Sequence, residues 1–452
     1  MSDAAERLID HALAMRWEAI PDCARIAAKA FLLDSLAVGV AGRNAAHADG
    51  VLAMVRGWGE GGAAGVLGRP DLHLPAPSAA FLNAFQIHGQ EYDCVHEAAV
   101  LHPMATVLSA LLAEMARGEA VSGEALLTAI VAGVDVAVTL GLAASGALTF
   151  FRPATAGIFG CVAAIASLRG LPRDMALDAF GHALAFASGT MQAHVEGKPA
   201  LPVQVANAAR NSLVAIDLAR AGMLGVRGTV EGPFGYLSLL EGKTALAHAL
   251  AKLGQGHRIE EVSWKPFPTG RAGHGGIGAV QALMAKGLTA ANLAALEYRA
   301  PPLIHRLVGR PAHHAMEPGY ARLCLPYLAA VTLARGTVSL ADFGEASLRD
   351  PELLAFAAKV AVVNDGNPDQ AAFVPAVATA TLADGTKLTD SVPALLGSPD
   401  RPLTRAEQEA KAVACLNFAG LGACLSGLID AVDTIDGAPD ALATLKASGV
   451  IG

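Results

Sequence analysis

The chain has 452 residues, of which 53% are hydrophobic, 16% charged and 5% aromatic, and its formal net charge is −8. That length leaves room for two or three domains. The negative charge and a pI near 6.0 argue against nucleic acid as the main partner, because a nucleic-acid-binding face needs an excess of lysine and arginine. The low charged fraction predicts extensive burial, in a thick helical core or a subunit interface.

The mean hydropathy of +0.42 raises the question of a membrane span. The most apolar segment runs from Ala125 to Phe151, but Asp135 interrupts it. Its uncharged remainder is shorter than the roughly 20 residues that a spanning helix needs, so we expect a central bundle helix and no membrane partner. The first residues lack a basic and apolar signal pattern, which predicts a cytoplasmic protein. Six cysteines without a CxxC pair are expected to be reduced.

Up to about Gly254 the sequence predicts helices punctuated by proline and glycine. Pro103 and Pro153 each stand where the first residue of a helix belongs. The helices predicted in this part are 22–40, 104–117, 155–169, 203–221 and 239–253. Sustained helix with short connections predicts an all-α bundle.

The pattern changes near Ser263. Segment 378–389 predicts a β-hairpin that turns at Asp384-Gly385. The other elements predicted here are strands at 294–300 and 359–364, helices at 274–286, 320–333 and 351–358, and a helix after Thr404. The predicted fold class is therefore mainly α, with a large all-helical bundle domain (1–262 and 395–452) and a smaller α+β lid domain (263–394).

One segment, from Asn83 to Pro103, concentrates titratable side chains in a chain that is otherwise poor in charge. It contains His88, Glu91, Asp93, His96, Glu97 and His102. Burying such groups unpaired costs free energy, and histidines beside carboxylates are suited to proton transfer near neutral pH. The segment therefore predicts an enzyme. It has no metal signature such as HExxH, so we expect no metal, with zinc or iron as the alternative.

Cationic side chains recur beside proline and glycine at three places. His102 and Arg152 each precede a proline that should begin a helix, where the helix dipole disfavours imidazolium and attracts anions. Lys265, Arg271 and His274 follow in a Gly/Pro-rich turn and suit carboxylate binding. Capping or solvated charges are the alternative. Residues 273–278 fit GxGxxG, but no βαβ context surrounds them, so no dinucleotide cofactor is predicted.

Taken together, these blocks resemble the MmgE/PrpD family in their order and spacing. The blocks that carry the resemblance are 83–103, 155–160, 207–210, 231–235, 265–268, 320–336, 384–385 and 397–411. The resemblance covers nearly the whole chain. It implies a helical domain with a smaller α+β lid, a homodimer, and a site between the two domains that works without metal or organic cofactor.

The resemblance also implies roles for single residues. The acids of the family's DFDD stretch fall on Glu91 and Asp93, the histidine of its HP pair on His102, and the lysine of its KPYP block on Lys265. At three positions the chain departs from the family: a histidine, a lysine and the threonine of the decarboxylase branch are replaced by Arg152, Leu201 and Val95.

The implied chemistry is proton abstraction next to a carboxylate, followed by loss of hydroxyl, loss of CO₂ or reprotonation. His102 is predicted to transfer protons with Glu91 or Asp93, and His88 and Lys265 complete the predicted catalytic set. The predicted substrate-binding residues are Arg152, Arg271, His274, Lys198 and Gln204. The leading expectation is a 2-methylcitrate dehydratase-like lyase acting on a hydroxy di- or tricarboxylate. A decarboxylase or epimerase on the same scaffold and a non-catalytic ligand-binding dimer are the alternatives.

Overall fold

A computed structural model describes residues 3–146, 148–242, 244–369 and 371–452. Within these ranges the chain is mainly helical. The helices are α1 Ala4–Ala14, α2 Asp22–Ala41, α3 Ala48–Gly57, α4 Ala76–His88, α5 Pro103–Met115, α6 Gly123–Ala143, α7 Arg152–Thr155, α8 Gly157–Arg169, α9 Arg173–Phe186, α10 Gln192–Glu196, α11 Ala200–Arg220, α12 Leu246–Ala251, α13 His274–Ala285, α14 Pro302–Val308, α15 Pro318–Ala321, α16 Leu325–Arg335, α17 Glu345–Leu348, α18 Pro351–Ala357, α19 Arg405–Phe418, α20 Leu425–Asp433 and α21 Ala441–Ala447. The strands are β1 Ala64–Val66, β2 Arg69–Leu74, β3 Leu293–Ala300, β4 Val360–Asn364, β5 Ala376–Leu382 and β6 Lys387–Val392.

The predicted mainly α class is confirmed, with local corrections. The helix predicted at 239–253 is wrong in extent, because a π-helical turn at Leu237–Glu241 ends at Gly242, whose φ is 71°, and α12 begins only at Leu246. The helix predicted at 320–333 is divided into α15 and α16. The hairpin of β1 and β2 was not predicted within the helical part.

The larger hydrophobic cluster joins the helices before residue 254 with those after residue 404. At its centre α6 and α8 approach so closely that glycine is required at the contact. A Cβ atom on Gly133 would lie 2.8 Å from the Cβ of Ala164, and one on Gly160 would lie 2.7 Å from the carbonyl oxygen of Gly133. The small residues that dominate the composition thus allow the helix axes to come together.

Helix α6 is the one described helix that is long and apolar enough to cross a membrane, and 89% of its most apolar window is buried inside the protein. Asp135 lies in this helix, and its carboxylate oxygen Oδ2 is 3.0 Å from the side chains of both His11 and His257. The prediction of a central bundle helix at this position is confirmed. The cytoplasmic location stays a prediction.

A second hydrophobic cluster, from Phe267 to Leu395, surrounds a four-stranded sheet of order β4-β3-β5-β6. Strands β3 and β4 are parallel and the other pairs are antiparallel. Leu296, Tyr298 and Ala300 on β3 are buried while the residues between them are exposed, so one face of the strand packs on the helices. The predicted strands and hairpin are confirmed, whereas the domain limits at 262/263 and 394/395 stay a prediction.

Candidate active site

The connection between α4 and α5 brings two histidines together. His88 is the last residue of α4, and His102 directly precedes Pro103 at the start of α5. The connection folds back on itself, since the backbone N–H of His96 donates to the carbonyl of Leu101 at 2.8 Å. As a result the rings of His88 and His102 lie 4.8 Å apart in an edge-to-face arrangement.

Asp93 lies between these two rings and is fully buried. Its Oδ2 atom is 3.0 Å from Nδ1 of His88 and 3.2 Å from Nδ1 of His102. Its Oδ1 atom is 3.8 Å from Nζ of Lys265. We call His88, Glu91, Asp93, His102 and Lys265 the Asp93 cluster. All five residues predicted as catalytic are in this cluster, although their roles stay predictions.

Lys265 links the loop of Glu91 to the later part of the chain. Its buried ammonium donates to Oε2 of Glu91 at 3.0 Å and to the backbone carbonyl of the same residue at 3.1 Å. Two backbone hydrogen bonds between Val95 and Ser263, of 3.0 and 2.7 Å, hold the loop after Glu91 beside the segment that leads to Lys265. Glu91 has a φ of 50°, which is uncommon for a residue other than glycine and is held here by these contacts.

The surroundings of the two histidines displace their pKa values in opposite directions. Burial lowers the pKa of His102 from its ordinary value of 6.5 and Lys265 lowers it further, which outweighs the attraction of Asp93. Burial also opposes the charge on His88, but Asp93 and Glu91 outweigh it and raise the pKa of His88 above 6.5. Groups with pKa values displaced in opposite directions are suited to act as base and acid of one reaction.

Both carboxylates of the cluster are ionised at neutral pH. Burial acts to raise their pKa values, but the neighbouring cationic groups dominate. Lys265 and the two histidines lower the pKa of Glu91 to about 2, and the histidines and Lys265 hold the pKa of Asp93 well below its usual range. The Oδ2 atom of the ionised Asp93 lies 3.2 Å from Nδ1 of His102, which leaves Nε2 as the atom of His102 that can exchange a proton with a ligand.

A metal ion is a poor match for this cluster. His88, Asp93 and His102 place ligand atoms within 4.8 Å of one another, a separation that a metal could bridge. However, the ammonium of Lys265 lies 3.8 Å from the same carboxylate and would repel a divalent cation. A metal-free site stays the prediction.

Two cavities meet at the cluster, and Glu91, Leu201 and Leu323 border both. The first, of about 280 Å³, also borders His88, Lys198 and Arg322, and we call it the Lys198 cavity. The second, of about 60 Å³, also borders His102, His194 and Arg271, and we call it the His194 cavity. The cluster is therefore accessible to a small ligand from two sides.

Comparison with known proteins identifies the family. The MmgE/PrpD N-terminal domain matches residues 6–249, and the MmgE/PrpD C-terminal domain matches residues 267–420. The chain belongs to the MmgE/PrpD family. The resemblance stated from the sequence is thus confirmed.

Three curated relatives give the family assignment more detail. The chain is 25% identical to cis-aconitate decarboxylase of mouse over 400 residues, which cover 83% of this chain and 79% of the relative. It is 26% identical to human cis-aconitate decarboxylase over 364 residues, or 76% and 74% of the two chains. A cis-aconitate decarboxylase-like protein of Aspergillus oryzae is 34% identical over 218 residues, 46% of this chain and 45% of the relative. The matches indicate an enzyme of the MmgE/PrpD family.

Of the predicted substrate-binding residues, Arg271 borders a cavity of the cluster and His274 lies behind it. The Nε atom of Arg271 donates to Glu97 at 2.7 Å, and its Nη1 atom donates to the carbonyl of Leu396 at 2.7 Å. His274 is buried, with Nε2 at 3.3 Å from the carbonyl of Thr269 and Nδ1 at 3.4 Å from Nη1 of Arg271. His274 therefore supports Arg271, and its direct role in binding stays a prediction.

Lys198 and Gln204 occupy different surroundings. Lys198 borders the Lys198 cavity, but its side chain is 54% exposed and lies 3.6 Å from Glu317. Gln204 lies on α11, and its Oε1 atom accepts a hydrogen bond of 2.5 Å from the backbone N–H of Thr190. It fixes the backbone before α10, and its predicted contact with substrate stays a prediction.

Arg152 lies outside the Asp93 cluster. Its Nε atom donates to both oxygens of Glu241, at 3.1 and 3.3 Å, and Glu241 also accepts a hydrogen bond of 2.9 Å from the hydroxyl of Tyr236. Arg152 borders a third cavity of about 1000 Å³, together with Arg306, and this cavity shares Val100 and Leu148 with the His194 cavity. The other two departures from the family, Val95 and Leu201, border the His194 cavity.

Sequence reasoning missed three polar residues at the site. Arg322 donates to the carbonyls of Gln90 and Pro268 at 2.9 and 2.6 Å. Lys411 donates to the carbonyl of Tyr92 at 2.8 Å and pairs with Asp34 at 2.6 Å. Arg322 and Lys411 thus hold the backbone on either side of Glu91. The third residue is His194. A single acid in an otherwise apolar part of α2, Asp34, was an available signal for the Lys411 pair.

Proposed function

We propose that the chain is a carboxylate-acting lyase that uses the Asp93 cluster to remove water from a hydroxy carboxylate. The observation that carries the proposal is that the buried carboxylate of Asp93 contacts Nδ1 of two adjacent histidines, whose pKa values are displaced in opposite directions. Elimination of water needs a base for the carbon-bound proton and an acid for the leaving hydroxyl. The two rings are 4.8 Å apart between centres; His102 borders the His194 cavity and His88 the Lys198 cavity, so a substrate bound where the two cavities meet would reach both.

In this mechanism the neutral His102 takes the proton from the carbon next to the carboxylate through Nε2. The electrons of the C–H bond form the new double bond, the C–O bond breaks, and the hydroxyl leaves as water with the proton of His88. Asp93 stabilises the imidazolium that forms on His102, since it already faces Nδ1 of that ring. Arg271, which borders the His194 cavity, stabilises the negative charge that develops on the substrate carboxylate, whereas Lys265 is buried and positions Glu91.

Decarboxylation is the second candidate. The matched relatives carry the name cis-aconitate decarboxylase, and the walls of the His194 cavity are largely apolar. An apolar wall favours loss of a carboxylate as neutral CO₂, because the charge leaves the poorly solvated group. This reaction requires an acid to protonate the resulting carbon but no base for a C–H proton. Independence of cofactors and assembly as a homodimer stay predictions.

One substrate panel separates these reactions. The full chain is mixed with 2-methylcitrate, citrate, cis-aconitate and racemic 3-hydroxy acids, and alkene absorbance, released CO₂ and optical rotation are recorded together. We expect alkene absorbance from a hydroxy acid. Release of CO₂ would show that the reaction is decarboxylation and not dehydration, and a change of optical rotation alone would indicate epimerisation. No reaction together with ligand-induced thermal stabilisation would indicate a binding protein.

A further inference from the structure

Among the described residues that line the His194 cavity, Arg271 is the one lysine or arginine, and its Nε atom pairs with Glu97 at 2.7 Å. The acid that borders the same cavity, Glu91, pairs with Lys265 at 3.0 Å. A substrate with three carboxylates would bring several negative charges to a cavity that offers one such cation. Desolvating unpaired charges is unfavourable, so the charge of the ligand should be low.

Arg271 has one side-chain donor that is free to bind a ligand. Arg271 is 4% exposed, and its Nη1 atom donates to backbone carbonyls, including that of Trp264 at 3.1 Å. Its Nη2 atom is buried and has no acceptor among the described residues. An unsatisfied buried donor costs on the order of 1–3 kcal/mol, which a ligand anion in the adjoining His194 cavity would recover. This geometry supplies one carboxylate position.

His194 supplies a polar contact without charge. It is 8% exposed and borders the same cavity as Arg271, His102 and Glu91. Its backbone carbonyl accepts from Arg310 at 2.8 Å, whereas its ring nitrogens form no hydrogen bond with any residue that the structure describes. Burial and the charge of Arg310 lower its pKa to about 4. The neutral ring therefore offers one donor and one acceptor to a ligand.

The rest of the cavity limits the size and polarity of the ligand. The His194 cavity alone, of about 60 Å³, accommodates roughly four to six water-sized groups, since one water needs about 10–15 Å³, so a slightly larger acid must extend past Glu91 and Leu201 into the Lys198 cavity. Most of the remaining wall is apolar, including Val95, Leu148, Met191, Leu307 and Phe373. Such a wall favours a hydrocarbon end on the ligand.

We propose that the His194 cavity binds a small monocarboxylate that carries one hydroxyl group and an apolar end. Arg271 holds the carboxylate through Nη2, His194 binds the hydroxyl group, and the apolar wall receives the hydrocarbon end. The two residues thereby determine specificity, and the substrate carries fewer carboxylates than the sequence predicts. This inference rests on the proposed function, because His102 and Glu91 border the same cavity.

The charge of the ligand is tested with unreactive acids that have no hydroxyl group to lose. Butyrate and succinate have the same number of carbons and differ by one carboxylate, so their dissociation constants are measured by calorimetry on the full chain. We expect butyrate to bind at least about tenfold more tightly, which corresponds to about 1.4 kcal/mol. Equal or tighter binding of succinate overturns the inference.

Leu201, which borders both cavities, provides a variant that does not remove the contacts of Arg271. Leu201→Lys adds a cation to the wall and should reverse the preference in favour of succinate, whereas Leu201→Met should leave the preference for butyrate unchanged. An unchanged preference in a folded Leu201→Lys protein would show that this wall does not face the ligand and would contradict the inference.

The role of His194 is tested with 3-hydroxybutyrate against butyrate, in the inactive His102→Gln background so that no turnover occurs. The hydroxyl group should improve binding by about fivefold, as expected for one hydrogen bond. His194→Leu should abolish this advantage, His194→Asn should restore part of it, and the surface change His73→Leu should leave it intact. Persistence of the advantage in His194→Leu would exclude His194 as the specificity residue.

The binding inference and the proposed reaction can be contradicted separately. If butyrate is preferred but no hydroxy acid is turned over, the reaction is wrong and the binding inference stands. If a tricarboxylate is dehydrated and succinate binds more tightly than butyrate, the reaction stands and the binding inference is wrong.

Discussion

The Asp93 cluster and the Arg152–Glu241 pair are both buried ionic groups near the proline-marked start of a helix, yet they differ in how their charges are matched. Arg152 donates to both carboxylate oxygens of Glu241, and the hydroxyl of Tyr236 donates to the same carboxylate. Asp93 is shared among two histidines and a lysine. Because the two acids of the cluster, Asp93 and Glu91, are shared among three basic groups, protons can be redistributed within it, whereas the Arg152 pair is a closed one-to-one contact.

The largest effect is expected for the base that depends on Asp93. His102→Gln should reduce kcat by about 10²- to 10⁴-fold, the usual contribution of a general acid–base residue, while the dissociation constant of butyrate changes little. Steady-state kinetics and calorimetry on the same preparation check this. His73→Gln, an exposed histidine in β2, serves as the matched control. Normal turnover by His102→Gln would remove the cluster from the mechanism.

The Lys411–Asp34 pair behind the cluster should affect stability strongly. Both side chains are at most 4% exposed, so Lys411→Met leaves the carboxylate of Asp34 buried and uncompensated. The free energy of unfolding should fall by about 3–5 kcal/mol, measured by urea denaturation. Adding Asp34→Asn should recover much of this loss. Lys29→Met, which breaks the more exposed pair with Asp436, should cost less than about 1 kcal/mol.

Arg152→Met tests whether the Arg152–Glu241 pair contributes to stability or to substrate binding. It leaves Glu241 buried without its partner, so we expect a loss of about 3 kcal/mol in the free energy of unfolding and less than about threefold change in KM. Stability and kinetics are measured at a temperature where the variant is folded. A large rise in KM with unchanged stability would instead support the substrate-binding role that the sequence predicts for Arg152.

The smallest effect is a displacement of the pH profile. Activity should fall at low pH as His102 becomes protonated, below pH 6.5, and at high pH as His88 loses its proton, above pH 6.5. Asp93 stabilises both imidazolium forms, so Asp93→Asn should move both limbs to lower pH by about one unit. The residual kcat/KM is measured from acid to alkaline pH, with exposed Asp71→Asn as control. Limbs that do not move would show that other groups titrate.

The sequence predicted those parts of the site that are local in the chain. Four members of the Asp93 cluster lie within 88–102, and prolines mark the helix starts on which His102 and Arg152 depend. The Gly/Pro-rich turn around Lys265 predicted a carboxylate-binding cation there, and its catalytic role was assigned through resemblance. Its contact with Glu91 spans 174 residues, which no local pattern can predict.

Residues placed by tertiary packing alone were missed. His194 lies in none of the blocks that carry the resemblance, and Arg322 lies in one of them, 320–336, without a role assigned to it. The burial of both depends on how the two hydrophobic clusters meet. The β1–β2 hairpin was missed because Pro70 and the charged residues around it read as loop rather than strand. The partners of Arg152 could not be predicted either, since Glu241 lies in a π-helical turn where the sequence predicts a regular helix.

The left-handed backbone of Glu91 has a consequence for how the enzyme matures. Its conformation is held by Lys265, and the loop around it is braced by Arg322 and Lys411. All three cations are synthesised long after the loop itself. A nascent chain that ends before residue 265 thus contains both histidines and both acids but lacks the cations that hold the loop, so the geometry of the Asp93 cluster forms only when the late part of the chain docks onto the early part.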